Sequence, residues 1–111
     1  MQIDVRIDGN IDGTEGLREH IVDVIENALS RFSDNVIVVE VRLSDVHGKT
    51  GGPTDKHCMM EVRLEGSQPT AVTDQASTFL HAIKGCTGKL KRSVESTLGR
   101  ASTLQGLRDH R

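Results

Sequence analysis

Four cations fall within nine residues late in the chain: Lys84, Lys89, Lys91 and Arg92. Amines and guanidinia at that spacing suit a phosphate backbone, because each can neutralise a phosphate and release its counterions. The bland alternative is a solvated helix face, where most charge runs sit. Other candidate chemistry is thinner. Gly48-Lys49-Thr50 ends like a phosphate-binding loop, but such a loop needs a glycine where Leu43 stands and a helix where Gly51-Gly52-Pro53 stand. Nucleotide hydrolysis is not supported. His47, Asp55, His57 and Cys58 are metal-ligating types without the paired spacing of a zinc site, and neighbouring strand residues such as His57 and Cys58 point to opposite faces. No metal is expected. A nucleophilic thiol needs a base in reach and an electropositive setting. Cys86 sits on the basic segment at the edge of its apolar stripe, and Cys58 reads as a small core hydrophobe; touching in a core, the two would be inert. No Ser-His-Asp order and no carboxylate pair stands out. The expectation is a protein that is not an enzyme, with no cofactor and no small-molecule substrate.

The elements that carry these residues follow from periodicity. Gln2–Asp8 alternates strictly, with Ile3, Val5 and Ile7 on one face, which predicts a half-buried strand. After breaks at Gly9-Asn10 and Asp12-Gly13, Thr14 offers a hydroxyl N-cap, with Glu15 near the positive end of the helix dipole. Leu17, Ile21, Val24, Ile25, Ala28, Leu29 and Phe32 then recur every three or four residues, with Glu19, Asp23 and Glu26 opposite. That is an amphipathic helix. The β-branched run 36–43 predicts a second strand with Ile37, Val39, Val41 and Leu43 inward. Residues 44–55 read as a loop. A third strand over 57–65 puts Cys58, Met60, Val62 and Leu64 inward, and a brief fourth follows Pro69 over 70–73. That proline suits an edge strand.

A second helix is expected from about Asp74 to Leu98, with Phe79, Leu80, Ile83, Thr87, Leu90, Val94 and Leu98 as its apolar stripe and Gly99 as C-cap. Gly85 and Gly88 each cost such a helix about 1 kcal/mol relative to Ala. Their use would be close approach to a neighbouring element. The order β-α-β-β-β-α predicts an α+β two-layer sandwich: a four-stranded mixed sheet with both helices on its apolar face. Residues 1–100 form the single domain, and 101–111 a flexible polar tail.

Composition agrees with one small domain. The chain has 111 residues, of which 35% are hydrophobic and only 2% aromatic, so aliphatic side chains must build the core. The lack of Trp and Tyr disfavours stacking on single-stranded bases. No run approaches the ~20 apolar residues of a membrane span, so no membrane partner is expected. Two cysteines and no secretory signal at the N-terminus make a reduced, cytoplasmic protein the expectation. The net charge of −2 conceals a strong asymmetry. Residues 1–30 carry two basic and seven acidic side chains, and residues 84–111 carry seven basic and two acidic ones. Either the two helices neutralise each other or the basic one faces a polyanion.

Several stretches resemble the ribosome hibernation promoting factor and ribosome-associated inhibitor A family, also described as ribosomal subunit interface or sigma-factor modulation proteins. Thr14-Glu15-Gly16-Leu17-Arg18-Glu19 is similar to that family's Thr-Glu-Ala-Leu-Arg-Glu helix start. His81-Ala82-Ile83-Lys84 through Gly88-Lys89-Leu90-Lys91-Arg92 resembles its second helix. Leu43-Ser44-Asp45, Lys49, Gly51-Gly52-Pro53, Asp55-Lys56, Cys58, Glu61, Arg63 and Gln68-Pro69 look like a subgroup of small proteobacterial relatives. The shared order covers about residues 1–98 and corresponds to the short form, without the C-terminal extension that pairs ribosomes in long members. The resemblance implies a dsRNA-binding-domain-like fold. It also implies docking on small-subunit rRNA, in the channel of mRNA and tRNA, so that idle ribosomes are inhibited and protected without chemistry. The RNA-binding residues would be Lys84, Lys89, Lys91 and Arg92, with Lys56 and Arg63. The first helix departs from the family: Asp23 and Glu26 stand where relatives tend to carry Lys or Arg. An alternative is therefore a family-derived binding module that uses this acidic helix to hold a protein partner.

Overall fold

Alternating apolar residues in four strands and two apolar helix stripes close a single core. The computed structural model describes residues 1–8, 11, 13–46 and 55–109, with side chains given except at 46 and 100–109. The elements are β1 (Gln2–Ile7), α1 (Thr14–Ala28), a 3-10 turn (Ser30–Phe32), β2 (Val36–Val46), β3 (Asp55–Leu64), β4 (Thr70–Ala76) and α2 (Phe79–Asp109). The sheet order is β1-β2-β3-β4. β1 runs parallel to β2, joined through α1, and the β2–β3 and β3–β4 pairs are antiparallel. This is the mixed four-stranded sheet with two helices that the element order predicts.

The core is aliphatic, as a chain with so few aromatics requires. Ile21 and Ile25 from α1 and Leu29 at its C-cap meet Val39, Val41 and Leu43 of β2 and Cys58, Met60 and Val62 of β3; Ile83, Leu90 and Val94 close it from α2. Each such side chain contributes about 1.5–3 kcal/mol by leaving water. On the other face of the sheet Asp4, Glu40 and Arg63 are exposed, so both helices cover one face and leave the other open.

Five local details differ from the sequence expectation. The phase of β2 slips at its start: a bulge between Val36 and Val38 buries Val36 and leaves Ile37 50% exposed. One extra residue in a strand reverses the faces before it. The strands are also longer than periodicity suggested. β2 and β3 take in positions 44–46 and 55–56 assigned to the loop, and β4 reaches Ala76 because Lys56, His57 and Cys58 of β3 pair with Ala76, Gln75 and Asp74. Asp74 is thus a strand residue, and α2 starts at Phe79, where the Thr78 hydroxyl accepts the His81 backbone N–H at 3.2 Å. α1 begins after Gly13 in a left-handed conformation (φ 70°), a backbone that glycine adopts readily, and Thr14 makes no cap. Finally, α2 runs through Gly99 to Asp109, so Gly99 does not end it. The turn residues Gly9, Asn10 and Asp12, and the loop residues 47–54 that include His47 and Lys49, lie outside the described residues.

Both outermost strands are bridged by a cation from the helix above. Arg18 of α1 donates from Nη1 to the Val5 carbonyl of β1 at 2.6 Å. Lys89 of α2 donates from Nζ to the Thr73 carbonyl of β4 at 2.8 Å.

Candidate nucleic-acid interface

At 100° per residue, burying Ala82, Ile83, Cys86, Leu90 and Val94 turns Lys84, Lys91 and Arg92 away from the sheet. All three are exposed, and among the described residues none of them bonds another protein group. The same holds for Glu15, Glu19, Asp23 and Glu26 of α1. The ion pairs among the described residues are Arg42–Asp8, Lys56–Asp45 and Lys89–Asp74, and none of them joins α1 to α2. Among the described side chains, the two helices therefore do not neutralise each other by contact. A positive arc on α2 and a negative arc on α1 stand side by side over the same face.

The other three candidate cations are placed differently. Lys89 lies at the rim of the α2 arc, its side chain 46% exposed, held by the Thr73 carbonyl and at 3.4 Å by Asp74 Oδ1. Lys56 has the parity of the inward residues of β3. Its Nζ sits 2.6 Å from Asp45 Oδ2 and 5.4 Å from the centre of the Phe79 ring, and its side chain is only 22% exposed. Arg63 is exposed on the open face of the sheet, with the core layer between it and the α2 arc. The structure thus gathers Lys84, Lys91 and Arg92, with Lys89 at their edge, and does not bring Lys56 or Arg63 to them.

Between the helices runs a shallow cleft of about 470 Å³, lined by His20, Val24, Leu80, His81, Lys84 and Thr87. Sequence reasoning put Leu80 in the core stripe, yet it is 56% exposed beside this cleft. Ala82 and Cys86 take its place in the core. Residue type alone does not single out His20 or His81, each a lone histidine on a polar face. Their register places them at the cleft: His20 sits one turn before Val24, and His81 three residues before Lys84.

The open face has a different pattern. Asp4, Glu40 and Glu61 stand opposite one another across β1, β2 and β3, and the adjacent row sets Arg6 beside Arg42. Arg42 Nε pairs with Asp8 at 3.0 Å. Alternating rows of acid and base give this face no single sign. Among the described residues no group of three or more His, Cys, Asp or Glu is placed to hold a metal ion, and no helix is long and apolar enough to cross a membrane.

Residues 3–102 match the family model of the sigma 54 modulation protein / S30EA ribosomal protein. The chain belongs to that family. The match spans nearly the whole chain. Among solved structures, the Protein Y N-terminal domain of Thermus thermophilus is 20% identical with a TM-score of 0.69, covering 87% of this chain and 99% of that one. A ribosomal subunit interface protein from Coxiella burnetii is 19% identical with a TM-score of 0.66, covering 89% of this chain and 99% of that one. These likenesses establish that the S30EA member described here has the same fold as both. No curated protein matches the sequence.

Proposed function

We propose that this protein is a non-enzymatic, cytoplasmic, ribosome-associated factor that binds small-subunit rRNA through α2 and inhibits or protects idle ribosomes. One observation carries the reading beyond family membership: Lys84, Lys91 and Arg92 stand exposed, with no carboxylate of α1 bonded to them. Structural relatives described as a ribosomal subunit interface protein and as Protein Y point the same way. The work of such a factor is occlusion, so the residues that matter bind and position rather than react. Three phosphate contacts predict a log–log salt slope of about −2, and recruiting Lys89 steepens it to about −3.

Sedimentation of a stationary-phase lysate through a sucrose gradient tests this. The protein is expected with small subunits at low salt and at the top of the gradient at high salt. Absence from small subunits at low salt overturns the ribosome reading. The exposed carboxylates Glu15, Glu19, Asp23 and Glu26 favour a second reading, in which α1 holds a basic protein partner. Under that reading Asp23→Lys abolishes the complex, whereas under the first it strengthens association with the small subunit.

A further inference from the structure

The chain's two thiols meet between β3 and α2, beneath the cationic arc and separate from it. Cys58 and Cys86 are both buried. Cys86 Sγ donates to the Cys58 carbonyl oxygen at 3.5 Å and to that of Val72 at 3.6 Å, which sets the two cysteines against each other across the β3–α2 seam. This contact needs α2 to sit low on the sheet, and small residues allow it. Ala82 is fully buried on the same side, and Gly85 leaves the space that the Asp74 carboxylate fills, where any Cβ would collide with Asp74 Oδ2.

The two sulfurs are not equivalent. The Cys86 side chain beside it, together with burial, pushes the Cys58 thiol up, so it stays protonated. Cys86, its pKa lowered by the Cys58 side chain and by the Lys89 ammonium, is the sulfur that ionises first. Asp74 opposes ionisation of both. A sulfur that ionises first, seated 3.5 Å from the backbone of a second cysteine on the facing strand, is the arrangement that thiol oxidation to a disulfide requires.

We propose that Cys58 and Cys86 are a peroxide-oxidisable dithiol whose disulfide staples α2 to β3. The Cys86 thiolate attacks one oxygen of a hydroperoxide, the O–O bond breaks, and the departing oxygen leaves as water or alcohol after taking a proton. Cys86 is then a sulfenic acid. The Cys58 sulfur attacks it, the S–S bond forms as the S–O bond breaks, and the Cys58 proton leaves with the hydroxide as water. Two thiols give up two electrons, and the peroxide is reduced. Because the bond ties residues 28 apart in sequence, it restricts the unfolded chain and raises the melting temperature. The Val72 carbonyl of the outermost strand lies against Cys86, so oxidation follows local opening of β4 and is slower than at an exposed thiol.

The test uses the full reduced chain and hydrogen peroxide, quenched by alkylation under denaturing conditions and read by mass spectrometry. The expected product is a monomer lighter by two hydrogens that takes no alkyl group. It yields a linked Cys58–Cys86 peptide, reverts with dithiothreitol and melts at higher temperature than the reduced form. Cys58→Ser is expected to stop at a sulfenic acid on Cys86 that dimedone traps. Should that variant fail to fold, Asp74→Asn gives an independent readout, forming the disulfide several-fold faster because an opposing charge is gone. Two thiols still open to alkylation, over-oxidation without a link, links only between molecules, or an unchanged rate in Asp74→Asn would each overturn the proposal. The readout is covalent, so it stands or falls separately from ribosome binding.

Discussion

α1 and α2 bury the same kind of surface and show opposite charge to water. Ile21 and Ile25 of the first, with Leu29 at its C-cap, and Ile83, Leu90 and Val94 of the second are all fully buried against one sheet. Above that shared stripe, α1 displays Glu19, Asp23 and Glu26, and α2 displays Lys84, Lys91 and Arg92. Packing constrains a helix on one arc alone, so the solvent arc is free to take on whatever partner the protein has. Two helices can therefore be alike for stability and unlike for binding.

The largest effects should fall on what the helices share. Ile25→Ala and Leu90→Ala are each expected to cost about 2–5 kcal/mol in urea unfolding. A much smaller loss in one of them would show that the two stripes do not carry the fold equally. The next effect should separate the helices. Lys91→Glu with Arg92→Glu is expected to weaken small-subunit association by about tenfold or more at low salt, leaving the urea midpoint nearly unchanged. Asp23→Lys, by the same logic, strengthens association, and an equal or reversed ranking in a pelleting assay would undo the assignment of the α2 arc. A finer contrast lies in two glycines. Gly85→Ala should destabilise by about 1–3 kcal/mol, since the added carbon meets Asp74. Gly16→Ala on α1, with nothing within 4 Å, should stabilise by about 0.5–1 kcal/mol. The smallest change belongs to the open face, where Asp8→Asn breaks the exposed Arg42 pair and should cost under about 0.5 kcal/mol.

Much of this arrangement is legible in the order of residues. The stripe of α1, the strict alternation of β1 and β3 and the acid–base contrast between the helices all follow from periods of 3.6 and 2 applied to apolar positions. The errors have physical sources. Alternation alone cannot reveal a bulge, so Val36 and Ile37 exchange faces unseen. Asp74 resembles a helix start by residue type, but pairing with Cys58 across the sheet outweighs that preference, and Ser77-Thr78 holds the true signal. Leu80 is apolar and lies next to the stripe, yet it borders the open cleft between the helices and stays exposed. Among the candidate cations, sequence spacing groups those on one helix. It is silent about Lys56, drawn to Asp45 and the Phe79 ring, and about Arg63, carried to the far side of the sheet.

The cations that reach Val5 and Thr73 also bear on how the protein behaves when abundant. Outer strands with unoccupied main-chain acceptors invite like strands to zip on, and copies at high local concentration would grow into stacks. A guanidinium on one margin and an ammonium on the other occupy an acceptor at each end of the sheet. A crowded copy approaching either margin then meets a charge at that acceptor, which disfavours edge-to-edge growth.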